Sequence, residues 1–433
     1  MDNPRRLAFA SLVRADALSS YSNIEINTVI SRSDLNKKNA ALYTALYMGV
    51  TEKLMTLDYA IAQYSSVEIS KLDIETKNAL RLGFYQLMFM DRIPEYSAVS
   101  ETVSICPKKS KGFVNAVLRA FIRNGKSVEY PEDEWERFSV ISSTPSYIID
   151  IFRRSYGDEA TKSILSDTDT HHGISLRINT LKTDISSFIT RLEKRKIEYK
   201  TEALCSDVIS VFCPISDIED IIGSGEAFVQ DIASRTAVKI FNPEAGMKIL
   251  DACACPGGKS FSSAIDMENT GEIISCDLHR SKLSLIERGA KNLSIDIIST
   301  REQNGKEYVP ELDSAFHKVL CDVPCSGLGV IRKKPDIKYK KADSVDNLPT
   351  IQRDILANCS KYVKVGGELM YSTCTLNKKE NEDVVLGFLK ENCSFEPVEF
   401  SVGDISSSEG MYTFLPHITG SDGFFVAKMR RIK

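Results

Sequence analysis

Met247-Lys-Ile-Leu-Asp251-Ala-Cys-Ala-Cys-Pro-Gly-Gly-Lys-Ser260 is the stretch whose reading decides the fold. An apolar run ends in an acid, a Gly-Gly turn follows, and helical character then continues to about Met267. That is the pattern of strand, turn, helix. The rhythm repeats downstream, with strands expected over 272–276, 296–299, 318–321 and 368–372. Helices are expected over 283–293, 348–363 and 379–389. The alternation predicts an α/β domain with a parallel, doubly wound sheet, in which ligands sit beyond the carboxyl ends of the strands.

The residues at those strand ends are therefore the first candidates for chemistry. Gly257 and Gly258 remove side chains where a ligand must approach the backbone, and the next helix offers its first amides. A phosphate-binding loop would need glycine at position 253, where Cys253 stands, and the dinucleotide G-x-G-x-x-G pattern is absent. Asp277 closes the second strand about 20 residues beyond the turn, the position from which an acid accepts hydrogen bonds from a ribose diol. Glycine turn and acid together imply an adenosine-containing ligand without a phosphate signature, a description that S-adenosylmethionine meets. The competing reading of the Gly-Gly pair is tight packing.

Two further strand ends carry cysteine, in Cys321-Asp-Val-Pro-Cys-Ser-Gly327 and Tyr371-Ser-Thr-Cys-Thr375. Cys276, Cys321 and Cys359 read as small core residues. Cys325 and Cys374 lie among polar, Gly and Pro residues on the ligand side, which points to function.

Outward from the α/β region, the chain up to about residue 124 reads as helices only. Leu42, Ala45, Leu46, Gly49 and Val50 form one stripe, Leu80, Phe84, Leu87 and Met88 another, and Phe113, Val114, Val117, Leu118, Phe121 and Ile122 a third. Between them Arg81, Lys108, Lys109, Lys111, Arg119, Arg123 and Lys126 make the region locally basic, which fits either a solvated face or RNA contact. A polar stretch over 124–134 reads as a linker. A smaller mixed unit follows, with strands over 175–179, 207–212 and 226–229 and a helix capped by Thr183 or Asp184 running to about Lys196.

Composition sets the outer limits. The chain has 433 residues with 55 Lys+Arg against 59 Asp+Glu, so RNA binding requires local basic patches. No apolar run approaches the roughly 20 residues of a membrane helix, and Arg14 and Asp16 interrupt the only leader-like segment. The 11 scattered cysteines suit a reducing cytoplasm, and neither a C-x-x-C pair nor any ligand spacing among His171, His172, His279, His317 and His417 suggests a metal.

The motifs Asp251-Ala-Cys-Ala-Cys-Pro-Gly-Gly-Lys259, Asp322-Val-Pro-Cys-Ser-Gly327 with Val330-Ile-Arg-Lys-Lys-Pro-Asp336, Tyr371-Ser-Thr-Cys374 with Glu380-Asn381, and Asp422-Gly-Phe-Phe425 resemble the RNA cytosine-5 methyltransferases of the RsmB/Sun/Fmu family. Leu80-Arg-Leu-Gly-Phe-Tyr-Gln-Leu87 and Gly112-Phe-Val-Asn-Ala-Val-Leu-Arg119 resemble its NusB-like RNA-binding domain, and Ser175-Leu-Arg-Ile-Asn-Thr180 its middle domain. Nearly the whole chain is covered. The resemblance implies an all-α NusB-like domain over 1–130, a small α+β adaptor over 140–228 and a Rossmann-like methyltransferase domain over 229–433.

The resemblance also implies roles. Cys374 is the nucleophile on cytosine C6, Cys325 assists C5 deprotonation and release, and Asp322 and Lys259 act on the base. S-adenosylmethionine would be held by Cys253, Ala254, Cys255, Pro256, Gly257, Gly258, Lys259, Asp277, Asn304 and Asp322. Arg332, Lys333, Lys334 and Lys338, with Lys340 and Lys341 beyond them, would meet RNA phosphate. The implied substrate is 16S ribosomal RNA, free or in an early small-subunit particle, with no metal, membrane or obligate protein partner. Two positions depart from the family, Cys255 for alanine and Asn304 where an acid commonly meets adenine. The alternatives are the same chemistry on transfer RNA or 23S ribosomal RNA, and a non-enzymatic RNA-binding or antitermination factor.

Overall fold

The computed structural model describes residues 2–17, 23–166, 173–340 and 342–433; His171, His172 and Lys341 lie outside them. The chain divides into two compact units, Met1–Arg154 with Ile331–Lys340, and Ser155–Val330 with Lys341–Lys433.

The first unit is helical. Helix Lys111–Arg123 buries Val114, Val117, Leu118 and Phe121, the stripe expected from its spacing. Phe121 stacks on Phe84 of helix Ile74–Phe89 at 4.5 Å between ring centroids, with neither ring exposed. Each such aromatic adds about 1.5–3 kcal/mol by leaving water. Arg81 belongs to this interior and not to a basic face. It is 6% exposed, and its Nε and Nη2 each lie 2.7 Å from a carboxylate oxygen of Asp58.

The first unit also runs on past the polar stretch read as a linker. Asp133 caps helix Glu134–Ser142 by accepting from the amides of Trp135 and Glu136 at 2.9 and 2.8 Å. Ser143 ends that helix in a left-handed conformation, and its Oγ accepts from the Met55 amide at 2.9 Å.

In the second unit a four-stranded antiparallel sheet has the spatial order Tyr199–Thr201, Val208–Val211, Ile174–Ile178, Ala227–Val229. Helix Ile185–Lys194 begins at Asp184, whose carboxylate accepts from the Ser187 amide at 2.9 Å. The larger sheet orders its strands Phe395–Pro397, Phe424–Arg431, Val363–Thr373, Phe316–Asp322, Lys248–Asp251, Glu272–Asp277, Ile298–Glu302, with Met411–Phe414 also pairing Phe424–Arg431. The five consecutive strands from Val363–Thr373 to Ile298–Glu302 are parallel. The parallel, doubly wound part expected from the strand–helix rhythm is this run, and further strands extend it. Phe424–Arg431 returns antiparallel beside Val363–Thr373, with Phe425 opposite Thr373, and Phe395–Pro397 and Met411–Phe414 pair it antiparallel too. Antiparallel closure needs no crossover helix, so these short C-terminal strands lack the strand-helix rhythm that reveals the others. Among the described residues no helix is long and apolar enough to cross a membrane.

The small sheet is joined to the helices of the larger domain by a buried ionic cluster. Arg177 and Arg235, 1% and 3% exposed, lie between Asp207 and Asp266, with Arg235 Nη2 2.7 Å from Asp207 and Arg177 Nη2 3.1 Å from Asp266. Burial opposes the Asp207 charge, but the two guanidiniums outweigh it and hold the carboxyl below its ordinary range. Removing one partner strands the opposite charges in a dry site. Arg235→Met is expected to lower unfolding free energy by about 3 kcal/mol, read from urea denaturation of the purified protein; a change within experimental error would show that the cluster contributes no net stability.

Candidate functional site

The parallel register brings the carboxyl ends of Lys248–Asp251, Glu272–Asp277, Phe316–Asp322 and Val363–Thr373 to one edge. Everything chemically distinctive in the second unit follows one of these ends.

After Asp251 the chain makes the glycine turn into helix Gly258–Asp266, through a cis Cys255–Pro256 bond. Gly257 has φ 111°, and a Cβ there would lie 2.5 Å from the Phe261 ring, so only glycine fits. A Cβ on Gly258 would meet only Gln230 Nε2, at 3.6 Å, so the backbone is open on that side. Ala254 and Lys259 are buried, Cys253, Cys255 and Gly258 half-buried, and Pro256 exposed. Burial pushes the Cys253 thiol well up, and it acts as an apolar wall. Cys255, the departure noted above, is also raised by burial and then by Asp277.

The acids at the strand ends are handled in three ways. Asp251 is 1% exposed; its Oδ2 accepts from Ser260 Oγ at 2.7 Å, while Oδ1 has no partner. Burial, opposed by Ser260, brings its carboxyl up to about 7. Asp277 accepts from the His279 amide at 2.9 Å through Oδ1, and its Oδ2 takes no hydrogen bond from the described residues. Asp322 accepts from Ser372 Oγ through Oδ1 and faces the Lys259 ammonium through Oδ2, both at 2.7 Å. Lys259 Nζ also lies 4.8 Å from the centre of the Phe424 ring.

The third and fourth strand ends meet through sulfur. Cys325 Sγ and Cys374 Sγ lie 3.2 Å apart, both half-buried. The hydrogen bond to Cys374, then burial, drives the Cys325 thiol well above its ordinary value; either sulfur can be the donor. Cys276, Cys321 and Cys359, read as core residues, are 1%, 0% and 0% exposed.

Two positioning features were not legible as such in the sequence. Glu380, fully buried, accepts from the Ser326 amide at 2.8 Å and from Gln352 Nε2 and Asn377 Nδ2 at 3.0 Å each. Its carboxylate thus pins the Cys325 loop to the segment after Cys374. Gly329 donates to the Cys374 carbonyl at 2.9 Å and accepts from the Gly423 amide at 2.9 Å; a Cβ on Gly329 would stand 1.9 Å from the Gly423 oxygen. The Glu380-Asn381 and Asp422-Gly motifs signal that something is held there, without saying what.

Other expected residues fall differently. Asn304 spends both ends of its amide on its own turn, Nδ2 donating to Glu307 at 2.8 Å and Oδ1 accepting from the Lys306 amide at 3.2 Å. Its turn still borders the site, since a Cβ on Gly305 would lie 3.8 Å from Cys253 Sγ. Arg332 is half-buried, and Lys333, Lys334 and Lys340 are exposed. Lys338 must be withdrawn from the phosphate-facing set. It is 2% exposed, and its ammonium donates to the carbonyls of Glu52 and Ser142 at 3.1 and 3.2 Å. A linear charge cluster cannot reveal which of its members turns inward.

S-adenosylmethionine fits what stands at this edge. The turn is open where Gly258 lacks a side chain, Asp277 keeps one carboxylate oxygen for a diol, and Asp251 holds an orphaned oxygen beside the turn.

Comparison with known proteins agrees along the chain. The family model for the 16S rRNA methyltransferase RsmB/F matches residues 238–430, that of the NusB family residues 2–123, and a ferredoxin-like domain of RsmF/B-like methyltransferases residues 144–216. A Bacillus subtilis (strain 168) protein described as probable ribosomal RNA small subunit methyltransferase B is 32% identical, over 99% of this chain and 98% of its own. A Synechocystis protein of the same description is 30% identical, covering 100% of both. Among solved structures, PH0851 aligns with TM-score 0.84 at 24% identity, over 100% of this chain and 99% of that one. NSun6 from Pyrococcus horikoshii, with SFG, aligns with TM-score 0.60 at 20% identity, over 68% and 100%. At these identities the structural likeness is one of fold.

The raised Asp251 carboxyl makes stability depend on pH. Its folded value of about 7 exceeds the ordinary value of 3.8, so the folded protein holds the proton more tightly. The contribution is complete below about pH 4 and is lost as pH rises through about 7, a few kcal/mol in all. Asp251→Asn, which mimics the protonated side chain, should flatten that portion of the stability–pH curve measured by denaturant titration; an unchanged slope would mean that Asp251 is ionised in the folded state.

Proposed function

The chain belongs to the family of ribosomal RNA small subunit methyltransferases B, and on that premise we propose that it transfers a methyl group from S-adenosylmethionine to C5 of a cytosine in 16S ribosomal RNA. The observation that carries the reading is the 3.2 Å approach of the Cys325 and Cys374 sulfurs at the edge where Asp322 and Lys259 are paired.

Cytosine C5 is a weak nucleophile within an aromatic ring. In this reading the Cys374 thiolate adds to C6, which breaks the aromaticity and places electron density on C5. S-adenosylmethionine supplies an electrophilic methyl group, while the protein supplies placement. Gly257, Gly258 and Asp277 are the residues that would hold it, with Cys253 and Ala254 as the apolar wall. Lys259, 2.7 Å from Asp322, stands where it can donate toward the base as negative charge develops on the ring, and Asp322 orients it.

Release needs a base to take the C5 proton, and Cys374 is by then bonded to carbon. The interaction that most raises the Cys325 thiol is its hydrogen bond with Cys374. Cys325 Sγ, 3.2 Å from Cys374 Sγ, is the group that stands beside the ring at this stage, and as thiolate it takes the C5 proton. Elimination then returns Cys374 as thiolate and restores the ring. The target cytosine must be unpaired or turned out of its stack to lie against the two sulfurs.

The reading assigns RNA binding to the NusB-like region 1–130, an adaptor role to 140–228 and catalysis to 229–433. Its setting is the cytoplasm, with 16S ribosomal RNA, free or in an early small-subunit particle, as the substrate. Arg332, Lys333 and Lys334 remain its phosphate-facing candidates, and Asn304 is assigned to the adenine end.

Incubation with unmodified ribosomal RNA and methyl-labelled S-adenosylmethionine is expected to place label on C5 of a 16S cytosine. Label only on transfer RNA or 23S ribosomal RNA would change the substrate, and none on any RNA would overturn the activity. Cys325→Ala should accumulate a covalent protein–RNA adduct on denaturing gels, and Cys374→Ala should form none. Equal adduct from both variants would reverse the assignment of roles.

A further inference from the structure

Behind the glycine turn stands a strand of the small sheet. Ala227–Val229 pairs antiparallel with Ile174–Ile178, and the Gln230 amide prolongs that ladder by donating to the Ser175 carbonyl at 3.1 Å. Side chains alternate along such a segment. Val229 turns outward and is 55% exposed, whereas Phe228 and Gln230 both reach helix Gly258–Asp266.

Each of these two residues backs one glycine of the turn. The Phe228 ring meets the Phe261 ring edge-on, 5.9 Å between centroids, and Phe261 is the ring that a Cβ on Gly257 would strike. Gln230, 5% exposed, donates through Nε2 to the Gly258 carbonyl at 2.9 Å and accepts through Oε1 from Ser262 Oγ at 2.6 Å. Its amide thus spans the first turn of the helix from outside. Nε2 also borders the space left by the missing side chain of Gly258, 3.6 Å from where a Cβ would stand.

Gln230 is itself held from both directions. Its own amide is in the small sheet, and its neighbour Asp231 caps helix Ile232–Phe241 through the Ala233 amide at 2.9 Å while accepting from the Asp422 amide at 3.1 Å. A residue that only filled the gap between sheet and helix could be apolar. Glutamine offers a donor and an acceptor on one side chain, and here both are directed at the helix that the turn begins.

From this arrangement we infer that Gln230, backed by Phe228, is a positioning residue for S-adenosylmethionine: the small antiparallel sheet holds the glycine turn in the shape that the cofactor meets, and so sets cofactor affinity. The inference rests on the reading of that turn as the cofactor site. It gives the small sheet a part in cofactor binding besides an adaptor role. An unbraced turn would have to be ordered at the moment of binding, and that ordering weakens affinity.

Calorimetric titration of the full chain with S-adenosylmethionine, in the absence of RNA, tests it. Gln230→Met keeps the volume and removes both side-chain hydrogen bonds. Gln230→Glu keeps the acceptor for Ser262 but sets an oxygen against the Gly258 carbonyl. Each is expected to raise Kd for S-adenosylmethionine roughly tenfold, and Phe228→Leu roughly threefold. Val229→Ala, on the outward side of the same strand, should stay within about twofold of wild type. In turnover, KM for the cofactor should rise in the Gln230 variants while kcat at saturating cofactor is retained. A brace that serves stability alone would lower the unfolding free energy and leave Kd of the folded protein unchanged, so a wild-type Kd in both Gln230 variants overturns the inference. A loss in Val229→Ala as large as theirs overturns it too. Should Gln230→Met fail to fold, Gln230→Glu and Phe228→Leu decide the matter. Failure of the cofactor reading is separately visible, because the wild-type chain would then bind no S-adenosylmethionine.

Discussion

Two sulfur atoms on different loops, 3.2 Å apart, are the constraint on which the rest of the site depends. Neither loop holds its cysteine alone. The buried Glu380 carboxylate accepts three hydrogen bonds, one from the Ser326 amide next to Cys325 and one from Asn377 in the segment beyond Cys374. Gly329 and Gly423 close the same gap from another side, at a backbone separation that no Cβ tolerates. A buried carboxylate with fewer donors would be costly, so the network acts as a unit. The sulfurs stay in register because their supports are shared.

Around that pair, three carboxyl groups at neighbouring strand ends acquire different characters from their surroundings alone. Asp251 is dry and close to neutral, Asp277 retains an unused oxygen, and Asp322 is paired with a lysine. Residue type is constant and environment is the variable. The same principle separates the cysteines. Cys276, Cys321 and Cys359 are packed in the interior, whereas Cys325 and Cys374 meet half-buried at the strand ends.

Charge in the rest of the chain follows the same logic of surroundings. Arg81, Arg177, Arg235 and Lys338 are all buried, and each has carboxylate or carbonyl oxygens for partners. They join elements distant in sequence, and their cost in lost hydration is offset by those partners, with Arg177 Nε left over. Counting basic residues therefore overstates the charge that the chain presents at its surface.

The sequence by itself determined the parallel half of the sheet, the glycine turn, the acid at Asp277 and the place of Cys325 and Cys374 just past strand ends. Each is a local pattern: hydrophobic periodicity, a turn composition, or a polar residue placed just after an apolar run. Only the tertiary structure decided that the C-terminal strands run antiparallel, that Glu380 and Gly329 bind the two loops together, that Asn304 is engaged in its own turn, and that Lys338 faces inward across two helix ends. Those facts depend on partners many residues away, such as Glu52 for Lys338 and Gly423 for Gly329. Local propensity carries no information about such meetings, because the burial and hydrogen bonds that define them exist only once the chain has folded.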